Sequence, residues 1–259
     1  MTQTRRTFIA RMAAGASAIT VLPFAAHAEA HTSDTFHDGA ITVHPVHHAS
    51  FVMETPAGVI YVDPVGEAAE YADLPPPDLI LVTHEHGDHY NAETLAALIG
   101  DGTVLLTNPA VNAMLPAEMK DGAKMLDNGA STDWEGVNIE AIPAHNTTEE
   151  RMNFHPVGRD NGYVLSFDGF RVYISGDTEP THEMLALENI DLCFLCMNLP
   201  FTMTAEQAAA AVQEFKPTFV YPYHYRGRDD GTQDPEAFAE MVGDASSVKM
   251  AGWYKEGEI

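Results

Sequence analysis

Asp78-Leu79-Ile80-Leu81-Val82-Thr83-His84-Glu85-His86-Gly87-Asp88-His89 passes directly from an apolar run into a loop of ligand-capable side chains. An unbroken apolar run of this length suits a strand buried on both faces. In the loop, alternation sends His84 and His86 the same way, and a tight turn at Gly87 can swing Asp88 and His89 to a second position. Three imidazoles and a carboxylate within six residues suit two adjacent cations better than one. Beyond the loop, Asn91 is placed to cap a helix through Ile99, and residues 103–107 read as the next strand.

Working outward, residues 41–46, 51–54 and 59–63 are short β-rich runs separated by turn residues. Residues 137–142, 163–167 and 171–175 continue the pattern, the last two joined by the hairpin signal Asp168-Gly169. The second half is more regular. A strand over 190–196 precedes a helix over 204–215, opened by a capping box from Thr204 to Gln207, with Ala205, Ala208, Ala209 and Val212 on one face. A strand over 218–223, a helix started by Asp234-Pro235 and a short strand at 248–250 complete the chain. No linker, internal repeat or low-complexity segment divides it. The expectation is one α+β domain over 41–259, built of two sheets with outer helices. Residues 29–40 lack periodicity and read as a flexible leader.

Three further residues share one context, each following a short strand among small or turn-forming residues. They are His145 in Ile142-Pro-Ala-His-Asn146, Asp177 in Ile174-Ser-Gly-Asp-Thr178 and His224 in Tyr221-Pro-Tyr-His-Tyr225. A lone histidine at a strand end is more often a satisfied polar group than a ligand; the three in order after the His-rich loop form a set. Composition agrees, with 13 His against two Cys. Two cysteines build no disulfide scaffold, so a metal site must come from His and carboxylates. Cys193 and Cys196 lie three apart in one strand, about 10 Å against a bridging limit of about 7 Å, and read as buried thiols. The formal charge of −25, from 13 basic and 38 acidic residues, excludes nucleic acid or an anionic membrane held by electrostatics.

At the N-terminus, Thr4-Arg5-Arg6-Thr7-Phe8-Ile9 precedes a weakly apolar run and the cleavage pattern Ala26-His27-Ala28. Residues 1–28 resemble a twin-arginine export signal. The resemblance implies passage of a folded chain through the twin-arginine machinery to the periplasm, with no membrane span in the mature form. Cleavage removes three arginines and no acids, leaving 10 basic against 38 acidic residues, a charge of −28.

Read in order, His48-Ala49-Ser50, Asp63-Pro64, the loop at 84–89, Ala144-His145-Asn146, Gly176-Asp177-Thr178, residues 191–196 followed by Thr202-Met203-Thr204, and Pro222-x-His224 resemble the metallo-β-lactamase superfamily. The match covers roughly residues 41–253 and is similar to the small single-domain branch of L-ascorbate-6-phosphate lactonase-like proteins. It implies an αββα sandwich of two mixed sheets. It implies that His84, His86 and His145 bind a first metal and Asp88, His89 and His224 a second, with Asp177 bridging. Zinc is the default, and manganese or iron also suits a His and Asp set without thiolates. The implied reaction is attack of a metal-bridging hydroxide, oriented by Asp88, on a small ester, lactone or phosphodiester. The alternative is a non-catalytic metal-binding or interaction protein that keeps the fold. Narrow-sense metallo-β-lactamases carry Cys where this chain has Asp177, and flavodiiron proteins usually carry Glu at the His86 position.

The remaining candidates keep two readings each. Asp63 either supports the metal loop through hydrogen bonds or caps a turn. His47 or His48 either orients a ligand or makes a structural hydrogen bond. The loop over 146–161 is long for a compact domain and holds Arg151, His155 and Arg159; its arginines either meet an anionic substrate group or are ordinary surface. Tyr223, Tyr225 and Arg226 flank His224, and the tyrosines either line a pocket or pack in the core.

Overall fold

The computed structural model of the protein describes residues 33–254. The export signal expected over 1–28 lies outside the described residues. Two seven-stranded sheets face each other. The first contains β1 (Asp34–Phe36), β2 (Ile41–His47), β3 (Ser50–Thr55), β4 (Gly58–Val62), β5 (Leu79–Val82), β6 (Val104–Thr107) and β7 (Lys124–Met125), in that order. The second contains β8 (Ser131–Trp134), β9 (Val137–Ala144), β10 (Asp160–Phe167), β11 (Phe170–Ile174), β12 (Leu192–Cys196), β13 (Phe219–Tyr223) and β14 (Ser247–Val248). In each sheet the first four strands pair antiparallel and the rest parallel, so the chain runs one plan twice although its sequence shows no repeat.

Parallel pairing requires crossovers. A 3-10 turn at Ala68–Tyr71 lies in the crossover from β4 to β5, and the others carry α1 (Ala92–Leu98), α2 (Pro109–Met114) and α3 (Ala117–Lys120) on the first sheet, and α4 (His182–Leu185), α5 (Ala205–Phe215) and α6 (Pro235–Val242) on the second. Asn91 caps α1 by accepting from the backbone N–H groups of Glu93 and Thr94, and the Thr204–Gln207 capping box opens α5. The sequence reading lacks α2, whose signal is the cap-and-first-turn pair Asn108-Pro109.

The apolar run at 79–82 is buried on both faces. Leu79 and Leu81 join the core between the sheets, and Ile80 and Val82 pack with Leu95 and Val111 beneath the first sheet's helices. Phe51 of the first sheet stacks on Phe194 of the second at 3.9 Å, and Tyr221 stacks with Phe194 at 5.2 Å. Cys193 and Cys196 are buried free thiols in β12. Among the described residues no helix is long and apolar enough to cross a membrane.

The leader expected over 29–40 is corrected at its end. Residues 34–36 form the edge strand β1, which is too short to show periodicity. It is held because Phe36 packs edge-on against Phe219 (5.2 Å), while the Tyr221 hydroxyl donates to Asp34. Strands β4, β5, β11 and β13 all deliver their carboxyl ends to one rim, where ligands of open α/β sheets gather. Asp63, His84, Asp177 and His224 follow those four ends.

Candidate metal centre

Three groups of side chains stand within metal-binding reach at that rim. They are His84, His86 and His155; His48, Asp88 and His224; and His84, His89 and Asp177, with the donor atoms of each group within 4.8 Å of one another. Asp177 links all three. Its Oδ1 lies 3.4 Å from His89 Nε2, and its Oδ2 lies 3.4 Å from both His155 Nε2 and His224 Nε2.

The imidazoles are held from behind. Asp63 follows β4 with a left-handed backbone (φ 44°) and its carboxylate is fully buried. It accepts from the Thr83 N–H (2.7 Å), the Thr83 hydroxyl (2.6 Å) and His89 Nδ1 (2.8 Å). With its proton given to Asp63, the Thr83 hydroxyl is left to accept from His84 Nδ1 at 3.0 Å. His155 Nδ1 is held in the same way by buried Asp160 at 3.0 Å. His89 and His155 therefore have Nδ1 tied to a carboxylate and Nε2 turned toward Asp177, the arrangement that fixes tautomer and aim in metal-ligating histidines, while His84 Nε2 lies 3.1 Å from His86 Nδ1. His48 and His224 also sit in left-handed turns (φ 55° and 48°), a conformation histidine tolerates better than most residues. Their ring centroids lie 3.8 Å apart with the planes tilted by 47°, and both Nε2 atoms lie 3.3 Å from Asp88 Oδ2.

Protonation follows from this crowding. Burial, then the neighbouring His89, holds His84 well below the ordinary imidazole range; burial, then His155, lowers His86. His48 is pushed down to about 4 by burial and by His224. Burial also disfavours charge on His89 and Asp177, but the carboxylates of Asp177 and Asp63 outweigh it and raise His89, while His224 and His89 outweigh it and lower Asp177. Burial acts likewise on Asp88, where hydrogen bonds to His224 and His48 prevail and lower it. His84, His86 and His48 are thus held neutral and Asp177 and Asp88 ionised, the forms that bind cations, whereas His89 must give up a proton when a cation binds.

The structure changes several expectations. The third imidazole beside His84 and His86 is His155, with ring centroids 5.0 and 4.8 Å away, and not His145. His145 belongs to none of the three groups; its backbone is bonded to Thr178 and Glu179, and its Nδ1 is buried without a hydrogen bond. The arginines of the 146–161 loop are engaged with protein. Arg151 donates to Glu179 (2.6 Å), the Thr202 carbonyl (2.9 Å) and Gln207 (3.2 Å). Arg159 is forked onto Asp160 (2.6 and 2.9 Å) and pairs with Glu85 at 2.9 Å. Tyr223 is core, packed against Phe51, Phe194 and Trp253. Tyr225 is partly buried against that core and packs edge-on against Tyr254.

Residues without a sequence signal of their own complete the site. Asn198, placed by the turn after β12, sets its amide 2.6 Å from His224 Nδ1. Tyr254 bonds His48 Nδ1 at 2.8 Å. Glu179 organises the long loop, accepting from the N–H groups of Thr147 (2.7 Å) and Thr148 (2.6 Å), the Thr148 hydroxyl and Arg151. Its carboxylate is fully buried, and breaking a buried pair by removing one partner costs about 3–5 kcal/mol. Glu179→Ala is thus expected to lower the urea midpoint and to open the chain to protease near Thr148; an unchanged midpoint would show that the loop is held by other contacts.

The donor set fits metal on two counts. His89 Nε2 and Asp177 Oδ1 are both buried, face each other at 3.4 Å and make no hydrogen bond. Burying such atoms without a hydrogen bond costs free energy that a shared cation removes. All donors are imidazole or carboxylate, which suits zinc, manganese and iron.

Comparison with known proteins points the same way. The family model of the beta-lactamase superfamily domain matches residues 42–224. A UPF0173 metal-dependent hydrolase of Thermococcus kodakarensis is 31% identical over 209 residues, 78% of this chain and 92% of the relative. A Parabacteroides distasonis protein assigned to the metal-dependent hydrolases superposes with a TM-score of 0.74 at 38% identity, over 85% of this chain and 98% of that one. A metallo hydrolase of Ignicoccus hospitalis shares the fold, with a TM-score of 0.66 at 22% identity over 81% and 94% of the two chains.

Proposed function

Because the chain belongs to the metallo-β-lactamase superfamily and, within it, to the UPF0173 metal-dependent hydrolases, we propose that it is a dinuclear enzyme cleaving a small ester, lactone or phosphodiester. The observation that carries this reading is the Asp177 carboxylate, set between His89, His155 and His224 with both oxygens used. His84, His86 and His155 would hold one divalent cation and Asp88, His89 and His224 the other, with Asp177 shared. Zinc is favoured by the donor set. Bound cations supply Lewis acidity, which acidifies water toward neutral pH and stabilises charge developing on the substrate oxygen.

The protein's own part is positioning and proton handling. Asp63 and Asp160 fix the Nε2 lone pairs of His89 and His155 inward. Asp88 is exposed, and with Oδ2 taken by His48 and His224 its Oδ1 makes no hydrogen bond among the described residues. That oxygen accepts the proton of the attacking water and returns it to the leaving oxygen. His48, bonded to Tyr254, braces Asp88. The proposal includes export to the periplasm, supported by Arg5-Arg6 and Ala26-His27-Ala28.

The test is turnover of ester, lactone and phosphodiester chromogens after metal reconstitution. Hydrolysis in at least one class, lost on chelation, is expected. Stoichiometric metal binding with no turnover in any class would favour a metal-binding protein that keeps the fold.

A further inference from the structure

A pocket of about 500 Å³ adjoins the second group, lined by Asp88 and His224 and also by Arg226, Arg228, Tyr254 and Phe201. Its size suits a small molecule. In an acidic chain the placement of two cations here needs a reason. Arg151 and Arg159 are neutralised by buried carboxylates, but no carboxylate oxygen among the described residues lies within 4.0 Å of Arg226 or Arg228, although Asp229 and Asp230 follow in sequence. Neither guanidinium makes a hydrogen bond among the described residues. Each lies over a ring instead, Arg226 4.1 Å from the Tyr254 centroid and Arg228 5.3 Å from that of Phe201. Stacking steadies the guanidinium plane and leaves its edge donors for a ligand.

The loop that carries them is fixed. The Leu199 N–H donates to the Gly231 carbonyl (2.9 Å), the Arg228 N–H to the Leu199 carbonyl (3.0 Å), and the Gly227 N–H to the Thr232 hydroxyl (3.2 Å). A Cβ at Gly227 would fall 2.1 Å from the Leu199 carbonyl oxygen, and one at Gly231 2.0 Å from it, so the loop can lie this close only with glycine at both positions. The Arg226 N–H also donates to the Tyr254 hydroxyl (3.3 Å), the group that bonds His48, which in turn contacts Asp88. The arginines are therefore tied by short links to the proposed catalytic carboxylate.

We propose that Arg226 and Arg228 receive an oxyanion, a phosphate or carboxylate carried by the substrate apart from the bond that is cleaved. The hydrolase would then act on anionic small molecules; this last step rests on the hydrolytic reading above, whereas the anion site does not. An arginine fork matches both oxyanions.

The test is titration calorimetry of metal-reconstituted protein with phenylphosphonate and benzoate, with benzyl alcohol as the neutral comparison. Wild type is expected to bind both anions, more weakly at high salt, and to ignore the alcohol. R226Q/R228Q is expected to weaken anion binding roughly 10- to 100-fold at unchanged metal content, and R226K/R228K to recover part of the loss. R228Q alone, at an exposed residue whose guanidinium makes no hydrogen bond among the described residues, carries the test if the double variant unfolds, with a loss of about tenfold. Unchanged anion affinity in folded R226Q/R228Q or R228Q, or equal binding of benzyl alcohol and benzoate, would overturn the proposal. Turnover of neutral chromogens without anion binding would sink the anion site and leave the hydrolase. Arginine-dependent binding without turnover of any chromogen would do the reverse.

Discussion

His155→Ala is expected to lower the metal-to-chain ratio by about one and to cut turnover by more than about 100-fold, whereas His145→Ala should keep both close to wild type. Removing a residue that merely orients a ligand commonly costs about 10–100-fold in metal affinity or activity, so losing a ligand should cost more. His155 has the supports of a ligand: Nδ1 on the buried carboxylate of Asp160, Nε2 3.4 Å from Asp177, and its ring against those of His84 and His86. His145 holds the Asp177 loop through its backbone N–H and carbonyl, which alanine preserves. Metal analysis and turnover of both variants decide the matter, and loss of metal in His145→Ala with retention in His155→Ala would restore the strand-end assignment.

The difference between these two histidines shows where sequence reading reaches and where it stops. His84, Asp177 and His224 are legible because each follows a parallel strand whose apolar run announces itself, and such strands deliver their ends to one rim. His145 carries the same local signal at the end of antiparallel β9, yet the ring beside the cluster comes from ten residues further on, in a loop without periodicity. What holds His155 at the cluster is a contact with Asp160 at the start of β10, and nothing in the spacing of the two residues requires it.

Charge misleads in the same way. Arg151 and Arg159 look available in an acidic chain until Glu179, Asp160 and Glu85 are seen to pair with them. Arg226 and Arg228 look no different in sequence; that no carboxylate among the described residues pairs with them is a property of the folded loop. Capping boxes, hairpins and buried strands were readable because their causes are local. Edge strand β1 was not, because Phe36 is held by Phe219 and Tyr221 from the far end of the chain.

Asp177→Ala is the second variant with a large expected effect. Its carboxylate lies 3.4 Å from His89, His155 and His224 alike. Without it, imidazoles from both proposed sites face one another with no negative charge between them, and two divalent cations so close together repel. The expected outcome is a metal-to-chain ratio falling from near two to one or below, with turnover reduced on the order of 100-fold or more. Asp177→Asn keeps the shape but removes the charge and should fall between wild type and alanine. A ratio unchanged by Asp177→Ala would remove the shared role of this carboxylate.

The account stands most directly on the number of metal ions bound by the unaltered protein. Inductively coupled plasma mass spectrometry of the purified chain, before and after chelation and reloading, should give close to two divalent ions per chain, with hydrolysis lost and regained in step. A ratio that saturates at one, or hydrolysis that survives complete removal of metal, would contradict a dinuclear centre at this rim.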